Sequence, residues 1–229
     1  MQTTTLPARD RQAQMAAVRA VMAARFPGMS PRQRGDVKMR LALEWIYRWG
    51  WASPKTIERV VGASRSGLAS RLVRYKLLKS TPTESAGVKD GVPSHILTLT
   101  LFGLQEIERL LETLMPYRLW GRKVRQDQLS LGHIAQVATL NSLLSMDAVA
   151  YETKKELEFN RKRVGQLEAV WTLKSGQQLG IQVVLPSKSA REMESAFLGC
   201  ISVTSLDEEL APCEFITVMS DSNTIIENG

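Results

Sequence analysis

Cysteine and histidine are scarce in this 229-residue chain, with two of each. Cys200 and Cys213 are too few for a disulfide framework. Their distance in sequence from His95 and His133 gives no zinc-ligand spacing, so reduced, buried thiols are expected and no metal is assigned. Long hydrophobic runs are also missing. No stretch approaches the roughly 18 apolar residues of a membrane span, and Met1 to Asp10 lacks the apolar core of a signal peptide. A cytoplasmic protein with no membrane partner is the expectation. There is no Gly-rich phosphate loop, no repeat and no clear nucleophile and base pair, which argues against ATPase and hydrolase chemistry and leaves no cofactor to assign.

What is present is ordinary globular composition, 44% hydrophobic and 23% charged, with the charge unevenly divided. The formal net charge is +7, but residues 1–130 hold 22 Lys+Arg against 10 Asp+Glu, giving +12, while residues 131–229 hold 8 against 13, giving −5. A basic excess on one half fits a polyanion-binding module, because neutralising phosphates and releasing their counterions supplies most non-specific nucleic-acid affinity. A solvated basic surface is the plainer alternative.

The pattern predicts an α+β protein with an N-terminal helix and linker over 1–35, a DNA-binding unit over 36–115, a basic linker over 116–130 and an α/β unit over 131–229. In the DNA-binding unit, Val37, Leu41, Ile46 and Trp49 recur near helical spacing from Asp36 to Trp51. Ser53-Pro54 starts a second helix that Gly62 stops, and Ser64 is placed to cap a third, with Leu68, Leu72 and Val73 facing inward. A Ser-, Thr-, Pro- and Gly-rich stretch from Lys79 to Ser94 then leads to the strand-like run His95 to Thr100. Leu104, Ile107, Leu110, Leu111 and Leu114 mark a closing helix. Three helices, a β-wing and a closing helix read as a winged helix-turn-helix.

Such a module lays its third helix in the major groove. Ser64, Arg65, Ser66, Ser70 and Arg71 are then the candidates nearest base edges, while Arg74, Lys76, Lys79 and the wing residue Lys89 are placed toward phosphates. The same scaffold also serves protein contacts, so a protein-interaction scaffold stays open.

In the C-terminal half a helix is expected over about Ser130 to Met146, with Leu131, Ile134, Val137, Leu140 and Leu144 apolar and His133 a satisfied structural histidine. A short strand at Ala148 to Tyr151 and a Thr153-capped turn follow. Glu168 to Leu173 and Gln178 to Leu185 form a hairpin about Lys174-Ser-Gly176, Ser187 and Ser189 cap a further helix ending near Gly199, and Phe215 to Met219 is a last strand.

The segments LEAVW, LGIQVVLPSKS and AREMESAFLGC, preceded by LGHIAQVATLNSLL and YETKKELEF, resemble the replication-relaxation family of plasmid mobilisation and replication proteins, over roughly residues 37–219. The resemblance implies an N-terminal winged helix joined to a restriction-endonuclease-like domain. It also implies a divalent-cation site with a first-strand acid, here Glu168, and acidic positions on the second strand that read Gln182 and Val184, followed by Lys188. Hard cations are held by clustered carboxylates, so this set reads as degenerate, with Glu168, Gln182 and Lys188 as remnants and Glu152 or Glu156 as the acids to replace what is missing. A tyrosine nickase would use Tyr151, which needs an exposed hydroxyl; half-buried packing is its plainer role.

The expected function is sequence-specific duplex DNA binding in a mobile genetic element, as an accessory relaxosome factor or a transcriptional regulator, with a relaxase or another mobile-element protein and a second copy of the chain as partners. A metal-dependent nickase is the alternative.

Overall fold

The computed structural model describes residues 26–62, 67–83, 92–117, 126–160, 167–184, 213 and 215–219, and these form a mixed α+β fold. Among them no helix is long and apolar enough to cross a membrane.

Helix α1 (Pro31–Trp49) starts before the Asp36 expected from hydrophobic spacing. The reason is local: Ser30 accepts from the Gln33 amide, Gln33 Oε1 accepts from the Ser30 amide, and Pro31 presets the first turn. Gly50, at φ 83°, ends it in the left-handed conformation that glycine adopts without strain. Trp51 therefore leaves the helix and is buried with Val92, Ile96 and Leu129.

Helix α2 (Pro54–Val60) begins at the expected cap, Ser53, whose hydroxyl accepts from the Thr56 amide at 3.0 Å. Helix α3 (Leu68–Arg74) does not begin at Ser64. Its N-cap is Gly67, at φ 64° and without a side-chain cap, and the Ala69 amide is met instead by Glu58 Oε1 of α2 at 3.2 Å. A carboxylate on one helix thus terminates its neighbour and favours the positive end of the helix dipole. Glu58→Ala is expected to lower stability by about 1 kcal/mol, with Glu58→Gln recovering most of it. Urea denaturation measures this; an unchanged midpoint in Glu58→Ala contradicts the assignment.

Strands β1 (Leu78–Pro82) and β2 (His95–Leu99) pair antiparallel, from Leu78 opposite Leu99 to Pro82 opposite His95. Ala52 adds an isolated bridge to Leu97. Helix α4 (Leu101–Glu108), capped by Thr100, is shorter than the run to Leu114 predicted. Leu110 and Leu114 are about half exposed. The chain instead turns back over α1: the Tyr47 hydroxyl donates to the Met115 carbonyl and also accepts from the Met115 amide, both at 2.6 Å. Tyr117 then donates to the Gly50 carbonyl and accepts from the Leu99 amide, so the first residues of the expected linker are pinned to the helical unit.

Helix α5 (Gln126–Ser145) takes up the last residues of that linker, and its inward face is the predicted one only in part, with Leu140 buried as expected. Leu144 is 48% exposed, while Gln136 and Thr139 are wholly buried. Gln136 accepts from the Trp45 indole and donates to the Trp51 carbonyl, both at 3.0 Å, and Thr139 accepts from the Trp171 indole at 2.9 Å. Two buried indole N–H groups, of Trp45 and Trp171, thus find their acceptors on α5, which places polar residues on its inward face.

Strand β3 (Ala148–Thr153), helix α6 (Lys154–Phe159) and strands β4 (Ala169–Leu173), β5 (Gln178–Val183) and β6 (Phe215–Met219) follow, the sheet running β3-β4-β5-β6. All pairs are antiparallel except β5 with β6. Gly176, at φ 89°, makes the expected turn. One face of the sheet, with Ala148, Ala169, Trp171 and Ile181, packs toward α5; on the other, Leu157, Leu167 and Val170 pack with Cys213, a buried thiol as expected. The expected helices near Met15 to Met22 and after Ser189, and Cys200, lie outside the described residues.

Candidate functional site

Of the residues assigned to DNA, Ser64, Arg65, Ser66 and Lys89 lie outside the described residues. The other five share one surface. Leu68, Ala69 and Leu72 turn the buried face of α3 inward, which leaves Ser70, Arg71 and Arg74 in solvent. The chain then reverses through Lys76, at φ 59°, a left-handed conformation uncommon for a side-chain-bearing residue. Its carbonyl accepts from the Thr100 hydroxyl at 2.5 Å, which holds the turn. Lys76 and Lys79 are both exposed. Among the described residues no carboxylate pairs with Arg71, Arg74, Lys76 or Lys79, although Arg40, Arg48 and Arg109 each have an acidic partner.

The remnant acidic positions come together in part. The Glu168 amide donates to the Ile181 carbonyl at 2.8 Å, so strand pairing brings Glu168 beside Gln182. Glu168 lines a cleft of about 440 Å³ with Arg48, Thr153, Lys154, Lys155 and Glu158. Gln182 is 1% exposed and Val184 is equally buried, so neither offers a ligand oxygen to solvent. Among the described residues no three His, Cys, Asp or Glu side chains cluster as a metal site. Lys188 lies outside those residues.

Tyr151 is enclosed. Its ring lies 5.5 Å from Trp45 and 6.1 Å from Trp49, with the Arg48 guanidinium 3.7 Å over it. Burial raises its pKa above the ordinary phenol value, against the opposing pull of Arg48. It thus takes the packing role and not that of an exposed hydroxyl. Glu152 and Glu156 do not converge on Glu168 as spare ligands. Glu156 pairs with Arg48 at 2.7 Å while capping α6 reciprocally with Thr153, and the Asn160 amide donates to Glu152. Arg48 Nη2 also donates to the Tyr151 carbonyl, and the Thr153 hydroxyl to the Arg48 carbonyl, so this network fastens the end of α1 to β3 and α6.

His133 departs from expectation. Its Nδ1 is buried without a hydrogen-bond partner among the described residues, and burial, followed by nearby Lys55, lowers its pKa, keeping the ring neutral.

Sequence reasoning overlooked Lys155. Its ammonium lies 4.6 and 5.0 Å from the ring centres of Tyr47 and Tyr117 and donates to the Tyr47 carbonyl at 3.0 Å. Burial pushes its pKa down to about 8, while burial pushes that of Tyr117 up to about 12. The native state therefore sheds the lysine proton before the unfolded chain does, and stability rises as pH climbs from about 8 toward 10. Above about 10 the unfolded tyrosines ionise first and stability falls again. Lys155→Met is expected to abolish the rise, read from urea midpoints over that range; an identical rise in the variant contradicts the assignment.

No family model, curated protein or solved structure matches this chain.

Proposed function

We propose that the chain is a sequence-specific duplex DNA-binding protein that reads DNA with α3 and the turn behind it. The order of three helices, two antiparallel strands and a closing helix supports a winged helix-turn-helix reading of the N-terminal unit. The observation that carries the proposal is the exposed row Ser70, Arg71, Arg74, Lys76 and Lys79, with no carboxylate partner among the described residues for its cations. Exposed cations without such a partner are available to phosphates and to guanine edges. Ser64, Arg65, Ser66 and Lys89, proposed for DNA on the sequence pattern, lie outside the described residues. The remaining sheet unit keeps its proposed kinship to the restriction-endonuclease fold as an assembly surface. Its acidic set is reduced to Glu168, with Gln182 neutral and buried. An accessory mobilisation factor and a regulator of mobile-element genes both fit this mode, with a relaxase and a second copy as proposed partners in the cytoplasm.

The test is a footprint on end-labelled duplex from the gene's flanking region, run on a denaturing gel with and without manganese. Protection without new breaks is the expected result. A discrete manganese-dependent break identifies a nickase, and absence of protection removes the DNA-binding reading.

A further inference from the structure

We infer that the preferred target is duplex DNA carrying an unpaired base, and that Tyr75 is the surface on which that base stacks. The inference rests on the DNA-binding reading and adds to it a class of substrate.

Tyr75 follows the last turn of α3 and is 59% exposed, with the Arg74 guanidinium 5.7 Å from its ring centre. Lys76 comes next, in the turn whose carbonyl the Thr100 hydroxyl holds. The Thr100 amide also donates to the Leu77 carbonyl at 3.1 Å, which brings the start of α4 against this turn. The first two residues of α4, Leu101 and Phe102, are 63% and 52% exposed. Tyr75, Leu101 and Phe102 are thus left in solvent, and Tyr75 stands between Arg74 and Lys76 in sequence with the Arg74 guanidinium over its ring.

An intact duplex gives an exposed aromatic ring little. Its grooves present donor and acceptor edges, and the apolar feature there is the thymine methyl. Base faces are hidden in the stack. An unpaired base offers a flat apolar face together with a phosphate on each side, which matches an aromatic ring flanked by two cations. A base extruded from a duplex also places paired DNA beside it, where Arg71 and Lys79 are exposed to meet the backbone.

The experiment compares the affinity of the full chain for a blunt duplex and for the same duplex carrying one unpaired fluorescent purine analogue. The wild-type protein is expected to prefer the second by about tenfold and to quench the analogue. Tyr75→Ala brings the affinity ratio to about one and abolishes quenching, Tyr75→Trp preserves both, and Arg71→Glu weakens both complexes alike. Blunt-duplex binding with a wild-type ratio near one, or a ratio insensitive to Tyr75→Ala, overturns this inference and leaves the DNA-binding reading standing. Failure to bind either duplex overturns both. An exposed aromatic ring beside cations also suits an anionic lipid surface. Binding to phosphatidylserine vesicles that is lost in Tyr75→Ala, without any preference between the two duplexes, overturns the inference in favour of a membrane.

Discussion

Reversing two charges, Arg71→Glu with Arg74→Glu, is expected to weaken duplex binding by about 100-fold or more at physiological salt. Both side chains are exposed, and among the described residues neither is held by a carboxylate. The change therefore removes two phosphate-neutralising groups and sets two anions against the DNA. It also places acids in the last turn of α3, where the helix dipole disfavours them by a few tenths of a kcal/mol, so Arg71→Gln with Arg74→Gln is the companion variant. The glutamine pair should still lose most of the affinity and flatten the salt dependence by about two units of slope, with a melting temperature close to wild type. Fluorescence anisotropy over a salt series measures both quantities. Equal affinities in wild type and both variants would move the DNA contact elsewhere on the molecule.

Gly103→Ala is expected to be the most damaging single methyl group in the helical unit. A Cβ there would lie 2.0 Å from the Leu77 carbonyl oxygen and 2.9 Å from its carbon. Both atoms are backbone, and the oxygen already accepts from the Thr100 amide and hydroxyl. Relief requires α4 and the turn at Lys76 and Leu77 to separate, which breaks the bonds from Thr100 to the Lys76 and Leu77 carbonyls and displaces Lys76 and Lys79. A loss of about 3 kcal/mol or more is expected, together with weaker DNA binding. The sign is diagnostic, because alanine in an open helical position stabilises by about 1 kcal/mol over glycine. A raised denaturation midpoint for Gly103→Ala would show that the close approach to Leu77 does not exist.

The elements legible in one dimension are those whose cause is local. Ser53-Pro54 announced α2, Thr153 announced α6, the alternation from His95 announced β2, and the exposure of Ser70, Arg71 and Arg74 followed from the inward spacing of Leu68 and Leu72. What stayed hidden depends on partners far along the chain. Glu58 meets the first turn of α3 from another helix, a partner that the local sequence around Ser64 does not encode. Gln136 and Thr139 are buried because Trp45, Trp51 and Trp171 come to them from elsewhere, which no apolar periodicity encodes. Leu110 and Leu114 fit a helical stripe, yet the contacts of Tyr47 with Met115 and of Tyr117 with Gly50 accompany a chain that has already left the helix. The same limit applies at the candidate site. Strand pairing sets Glu168 beside Gln182, within reach of a hairpin reading, but the pairing of Glu156 with Arg48 arises from a residue over 100 positions away.

The most direct measurement is the affinity of the full chain for a blunt duplex as salt is raised. With Arg71, Arg74, Lys76 and Lys79 all neutralising phosphates, the logarithm of the association constant should fall linearly against the logarithm of salt, with a slope of about −3.6 or steeper. Binding that is absent at low salt, or that does not respond to salt, would contradict the account.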